Sequence, residues 1–255
     1  MVVIPGQYEF ANAPQGEYGL VLESLRRFRQ ACRVVSEAAE VLAVSAYHSG
    51  LIRGAQARPT PVPLVYHGFD AKAYGAAQDG PRAPIVLTVA HAGSHARVWH
   101  KGLDTFARAA ARLPEVRFVL VGGYDPAVGA ELQRLAEGRL EMPGARGPSE
   151  VARIMGEAQV YAQLSATETF GCALAEAMLC GCVPVVTDRG ALPEVAGEVG
   201  YYAPYGDVEA TVRQVEAALR SDRGPAARER IMRLFPLEKR EQALVEVVER
   251  LAGRR

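Results

Sequence analysis

Short apolar runs alternate with amphipathic stretches along most of the chain. The runs at 85–90, 117–122, 159–164 and 183–187 are dominated by Val, Ile, Leu, Phe and Ala, the pattern of strands buried on both faces of a parallel sheet. Shorter runs at 139–142 and 200–203 predict two further strands. Between them, apolar residues recur at helical spacing: Leu103, Phe106, Ala107 and Ala110 on one inner face, then Val128, Leu132 and Leu135 within a helix at 126–138. A helix is also predicted over 149–157, and three helices close the chain, the longest over 237–251. This rhythm of strand, helix, strand predicts an α/β fold, a Rossmann-like doubly wound parallel sheet spanning about residues 80–235. Upstream, the pattern predicts strands at 2–5, 41–45 and 62–66 and a helix at 47–57. It also places Val21, Leu25, Phe28 and Cys32 on one helical face. Residues 71–83, with Gly, Pro and small side chains, read as a linker. The boundaries that follow are 1–75 for a partial second α/β unit, 76–235 for the main domain and 236–255 for the C-terminal helix.

Composition narrows the function classes. Lys+Arg and Asp+Glu both number 29, and the basic residues are scattered, so no field attracts nucleic acid or an anionic membrane. No apolar run is long enough to span a bilayer, and the start lacks a basic segment followed by a long apolar stretch. The four cysteines are Cys32, Cys172, Cys180 and Cys182; their crowding into one helix and its end is no disulfide framework, which points to a reducing cytoplasm. Cys180 and Cys182 as a metal or redox pair is the alternative to small buried residues at a helix end. Arginine greatly outnumbers lysine and Asn12 is the only asparagine, usage that suits a GC-rich genome or a thermophilic host.

Three segments carry candidate chemistry at the carboxyl edge of the predicted sheet, where open α/β folds bind ligands and helix N-termini face anions. In 165–195, SATETFGCALAEAMLCGCVPVVTDRGALPEV, Glu168 lies in a loop after a strand, a helix opens around Phe170 and Gly171, and Glu176 falls in its second turn. Two carboxylates near one helix start sit badly with the helix dipole unless they serve a ligand. Carboxylates are strong acceptors for vicinal hydroxyls, and Gly171 permits close backbone approach. The second segment, 86–104, holds Lys101-Gly102, a lysine at a ligand edge in a chain that otherwise prefers arginine, as if a compact ammonium were wanted. Its histidines His91, His95 and His100 raise a zinc hypothesis, weakened by the lack of a Cys or acidic partner at ligand spacing. The third segment, 65–70, contains His67, read either as facing the cleft or as an interdomain hydrogen-bond partner. No Asp-x-Asp occurs for a metal-held diphosphate, and no G-x-G-x-x-G follows a strand, which disfavours a dinucleotide oxidoreductase.

The run from Glu168 through Phe170, Gly171, Glu176, Ala177, Met178, Gly181, Pro184, Val185 and Val186 resembles the E-x7-E signature of the family 4 retaining glycosyltransferases of the GT-B type. Gly190-Ala191-Leu192-Pro193-Glu194 resembles the G-G-x-P-E that follows it, with one glycine replaced, and 65–70 and 199–207 resemble two further family segments. The resemblance runs from about Ser45 onward. It implies transfer of a sugar from a nucleoside-diphosphate sugar, UDP- or GDP-linked, with retention at the anomeric carbon, no metal and no other cofactor. It implies that Glu168 contacts the donor sugar at the reacting centre, that Lys101 with Gly102 stabilises the leaving diphosphate, and that Glu176 binds the ribose. Backbone N–H groups around Phe170, Gly171 and Cys172 would meet the sugar or diphosphate. The family's phosphate-binding arginine is replaced by His91, and Arg97, inside a loop read as longer than usual, is the substitute expected for it. Against the family, residues 1–75 look like a shortened acceptor-side domain onto which the C-terminal helix packs back. Its apolar positions Leu244, Val247, Val248 and Leu251 would then need a partner, by oligomerisation or from another subunit. A transferase therefore competes with a non-catalytic nucleotide-sugar-binding subunit or half of a split enzyme, and with a GT-B epimerase or phosphorylase. The donor's base and sugar and the acceptor are not readable from the sequence.

Overall fold

A computed structural model describes residues 2–4, 25–56, 60–74 and 82–253. Six parallel strands form the main sheet: β3 (Ala83–Val89), β4 (Arg117–Val121), β5 (Leu140–Gly144), β6 (Ala158–Gln163), β7 (Val183–Thr187) and β8 (Tyr201–Ala203). They lie in the order β5-β4-β3-β6-β7-β8. The chain winds outward from β3 to β5, returns across β3, and winds outward again from β6. That reversal creates a crevice at the carboxyl ends of β3 and β6, the place where doubly wound sheets bind ligands.

Period-two alternation separates two cores. Ile85, Leu87, Val119, Val121 and Tyr161 face one side, against α6 (Pro148–Glu157), α7 (Cys172–Leu179), α8 (Leu192–Ala196) and α10 (Gly224–Leu234). Val86, Phe118, Leu120, Val160 and Val185 face the other, against α4 (Leu103–Arg112), α5 (Pro126–Leu135) and α9 (Val208–Leu219). Leu103, Phe106, Ala107 and Ala110 are all buried, and the Phe106 ring meets Phe118 edge to face at 5.1 Å.

Several elements differ from the sequence expectation. The helix at 126–138 ends at Leu135, where Glu137 and Gly138 both take positive φ and turn the chain into β5. The stretch before Lys101 is a further helix, α3 (His95–Lys101), capped by Ser94, whose side chain accepts from Arg97 N. The short helix α8 has no counterpart in the expectation.

The described upstream residues form a second, smaller unit. β1 (Val2–Val3) pairs in parallel with β2 (Glu40–Val41), and the strand expected at 62–66 reduces to one bridge between Ala43 and Leu64. Pro61 and Pro63 lack the N–H groups that a longer ladder needs. Helix α1 (Leu25–Glu37) carries half-buried Cys32, Val21 lies outside the described residues, and α2 (Ala46–Ala55) starts at the Ser45 cap. Of the linker, Ala71–Tyr74 forms a 3-10 turn; 75–81 lie outside the described residues. The last helix, α11 (Leu237–Ala252), buries Val247 against Leu42 and Val65, with Leu244 and Leu251 partly covered, while Val248 remains 61% exposed. Arg250 pairs with Glu40 at 3.2 Å across the same contact.

Candidate functional site

The site grows from two loops at the β3–β6 crevice. Helix α3 is pressed onto the end of β6 because Gly102 has no side chain: a Cβ there would come within 2.1 Å of Leu164 O. Gly102 also takes φ 62°, left-handed geometry that releases the chain from α3 into α4. Ala166 N donates to His100 O at 2.8 Å, stitching the β6 loop to the helix. Gly102 thus serves a close backbone approach, and its neighbour Lys101 is delivered to the crevice.

There Lys101 Nζ lies 2.6 Å from Glu168 Oε1. Gln163 Nε2 and Ser165 Oγ donate to the same oxygen, each at 2.8 Å. Burial by itself raises the Glu168 pKa, but the charge and hydrogen bond of Lys101, with the bonds from Ser165 and Gln163, outweigh it and hold the carboxyl below its ordinary value. A buried anion is therefore maintained at the crevice. Its loop is fixed from behind: Thr187 Oγ1 donates to Ser165 O at 2.7 Å and Ala191 N to Glu168 O at 2.9 Å. Gly190, at φ 61°, passes so close that a Cβ would sit 2.5 Å from Glu168 O.

Helix α7 begins one step further on. Gly171 is its N-cap at φ 98°, a conformation glycine adopts without strain. The side chain of Phe170 does not enter the crevice: 1% exposed, it is ringed by Tyr66, His67, Phe69 and Phe235 with centroids 5.2–6.3 Å away. Only its backbone is left to meet a ligand. Cys172 is held as the neutral thiol, pushed up to about 11 by burial and by Glu176 and Glu168. Glu176 is half-buried; burial raises its pKa, and the neighbouring Tyr74 hydroxyl partly opposes that rise. Tyr74, in the 3-10 turn, is a neighbour of Glu176 that the sequence did not suggest.

The histidines do not converge. His100 is fully buried, its pKa lowered to about 4 by burial and then by Lys101. His95 turns outward, 3.0 Å from Glu131. His91 is exposed and its ring lies over the glycines: a Cβ on Gly93 would meet its Nε2 at 2.4 Å, one on Gly123 its Nδ1 at 3.1 Å. Among the described residues no group of three His, Cys, Asp or Glu side chains is placed to hold a metal ion. Cys180 and Cys182 are buried thiols, raised to about 11 and about 12 chiefly by burial, and Cys182 Sγ donates to Met155 O at 3.0 Å. Arg97 stands one turn before Lys101 on α3, close enough for its charge to lower His100. A second arginine, Arg189, reaches the same rim from the β7 loop, over the Tyr205 ring at 4.8 Å, and that ring meets Trp99 of α3 edge to face. His67 packs its ring on Phe170 at 5.2 Å, and its pKa falls to about 4 through burial and Arg240.

The upstream part is latched to the same loops. Ala46 N, in the first turn of α2, donates to both carboxylate oxygens of Glu194 at 2.9 and 3.0 Å, and Tyr66 Oη donates to Glu194 Oε1 at 2.6 Å. Tyr47 Oη and Thr167 Oγ1 share a hydrogen bond of 2.9 Å one residue from Glu168. Gln163 and Ser165 had one available signal: two polar residues, at the end of a strand otherwise made of apolar ones and just after it.

Comparison with known proteins bears on this geometry. The sequence profile of the family described as "Glycosyl transferases group 1" matches residues 85–221, the segment holding both loops. The gpi3 subunit of phosphatidylinositol N-acetylglucosaminyltransferase from Schizosaccharomyces pombe is 34% identical over 104 residues, 38% of this chain and 23% of that protein. The chain thus matches well under two thirds of that relative. In fold, it resembles the sucrose-phosphate synthase of Thermosynechococcus elongatus at TM-score 0.83 and 22% identity, over 100% of this chain and 68% of the other. It also resembles Anabaena HepE in complex with UDP-glucose, at TM-score 0.80 and 20% identity over 97% and 71% of the two chains. Both likenesses show the GT-B fold.

Proposed function

The chain belongs to the group 1 glycosyl transferases, and from that premise we propose that it binds a nucleoside-diphosphate sugar at the β3–β6 crevice and transfers the sugar with retention, without a metal. The observation that carries this reading is the Lys101–Glu168 pair, 2.6 Å apart at the switch point of the sheet. An ammonium has three donors. One meets Glu168, and the others are available to the oxygens of a departing diphosphate, the charge that most needs stabilising as the bond to the sugar breaks. The sequence lacks Asp-x-Asp, so lysine and the α7 N-terminus take the place that a metal would otherwise fill.

Glu168, kept ionised, is placed to accept from sugar hydroxyls. Glu176, one turn along α7, is assigned the ribose diol, and Arg97 or His91 a further phosphate contact. In the reaction the acceptor oxygen bonds to the anomeric carbon on the face from which the diphosphate leaves. The acceptor's proton passes to the departing phosphate oxygen, so charge and atoms balance. The gpi3 relative is named as a subunit and HepE was solved with UDP-glucose; a UDP-sugar is accordingly the first donor to test.

Proton NMR of the product formed from an α-linked UDP-sugar tests the reading. An α-linked product formed equally well in EDTA supports it. A β-linked product contradicts retention, and activity lost in EDTA and restored by zinc contradicts the metal-free assignment. Donor binding with no transfer to any acceptor would convert the reading to a nucleotide-sugar-binding subunit.

A further inference from the structure

Gln163 is the last residue of β6 and is 8% exposed, yet its side-chain oxygen has no hydrogen-bond partner among the described residues. The amide cannot be turned to remedy this. Its nitrogen is 2.8 Å from Glu168 Oε1, and the reverse orientation would set a carbonyl against a carboxylate. A buried acceptor left unpaired is costly, and such atoms are where a ligand or an ordered water is expected. The position favours a ligand. The amide lies under the cap of α7: a Cβ on Gly171 would crowd Leu192 Cδ2 at 3.0 Å and stand 3.8 Å from Gln163 Nε2, so only a glycine lets the helix start pass this close over the amide. Three donors among the described residues, Lys101, Gln163 and Ser165, converge on Glu168 Oε1. With those three donors gathered on Oε1, Glu168 Oε2 is the oxygen assigned to a substrate.

Resting on the function proposed above, we propose that Gln163 is a specificity-determining residue for the donor sugar, holding Glu168 through its N–H and accepting from a free sugar hydroxyl through its carbonyl. Gln163 Oε1 and Glu168 Oε2 then form a pair of acceptors without a donor, which selects a sugar presenting hydroxyl groups there over one that is deoxygenated. A site built to hydrogen-bond a hydroxyl discriminates strongly against its absence, because the buried acceptor is then left unpaired.

The test pairs the residue with the hydroxyl. Affinities for UDP, UDP-glucose and its 2-, 3-, 4- and 6-deoxy analogues are measured for the parent, Gln163→Met and Gln163→Asn. The last keeps a polar amide but retracts it by one methylene, should the first fail to fold. For one analogue, the parent is expected to lose about tenfold relative to UDP-glucose, and the variants no more than about twofold, with UDP itself bound alike by all three. Unchanged discrimination in both Gln163 variants overturns the proposal, showing an oxygen that serves water only. A parent that binds UDP and UDP-glucose with no preference among the analogues overturns it as well. A parent that binds no UDP compound removes the UDP-sugar reading, and Gln163's role with it.

Discussion

Replacing Lys101 with methionine keeps the bulk of the side chain and removes the ammonium 2.6 Å from Glu168. Taking away one partner of a buried ion pair costs about 3–5 kcal/mol. Two features reduce that here. The Lys101 side chain keeps 21% of its exposure and Glu168 10%, and Ser165 and Gln163 still donate to Oε1. The expected loss is about 2–3 kcal/mol at pH 7.5. Its pH dependence follows from Glu168. In the parent the folded carboxyl titrates below its unfolded value of about 4.3, so its share of stability is full above that value and is lost as pH falls through the folded pKa. In Lys101→Met the largest influence, burial, is no longer outweighed. The folded pKa then rises above the unfolded one, and the penalty on the charged form vanishes as pH falls through it. The difference between the two proteins should therefore be fullest at pH 7.5 and shrink toward pH 4.5. Urea unfolding at both pH values, followed by Trp99 fluorescence and by circular dichroism, reads it directly. Trp99 is the only tryptophan and lies on α3 two residues from the substitution. An equal loss at both pH values, or none at either, would refute the assignment of Lys101 as the group that keeps Glu168 ionised.

Gly102→Ala should destabilise the fold by more than about 2 kcal/mol, since the left-handed φ and the approach to Leu164 O both oppose a Cβ; a parent-like melting temperature would place α3 elsewhere. Tyr74→Phe removes the hydroxyl that lowers the Glu176 pKa and leaves the burial that raises it. UDP affinity should then fall about three- to tenfold at pH 7.5 and further at pH 5.5, where a protonated Glu176 accepts poorly. An equally flat pH profile in parent and variant would contradict that role. Phe170→Ala, emptying the ring cage between α7 and the 65–70 segment, should cost about 3–5 kcal/mol in chemical denaturation; a loss below about 1 kcal/mol would mean that the cage collapses freely.

The central strands were legible because both their faces are buried and their sequences are nearly all apolar, with Leu87, Phe118 and Val185 at fully buried positions. Glu168, Glu176 and Lys101 were legible through motif spacing, although spacing alone did not show that Lys101 and Glu168 touch. Helix α3 was not legible. It is seven residues long, only Val98 and His100 are buried, and it depends on the Ser94 cap and the Gly102 turn rather than on an apolar period. The expected strand at 62–66 failed because proline chemistry overrode an apolar run. Gln163, Ser165 and Tyr74 escaped notice for a different reason. Each acts through a contact made by the fold, Tyr74 reaching Glu176 across about a hundred residues of sequence, and no local pattern marks such a partner. The expected apolar row on the last helix divides in the fold: Val247 is buried while Val248 faces outward.

The most direct measurement is calorimetric titration of UDP-glucose, GDP-mannose and ADP-glucose into the purified chain and into Lys101→Met. One saturable site is expected for at least one of the three, weakened about tenfold or more in the variant while its circular dichroism stays that of the parent. No binding heat from any of them, or equal affinity in parent and variant, would contradict the claim that the β3–β6 crevice is a nucleoside-diphosphate-sugar site.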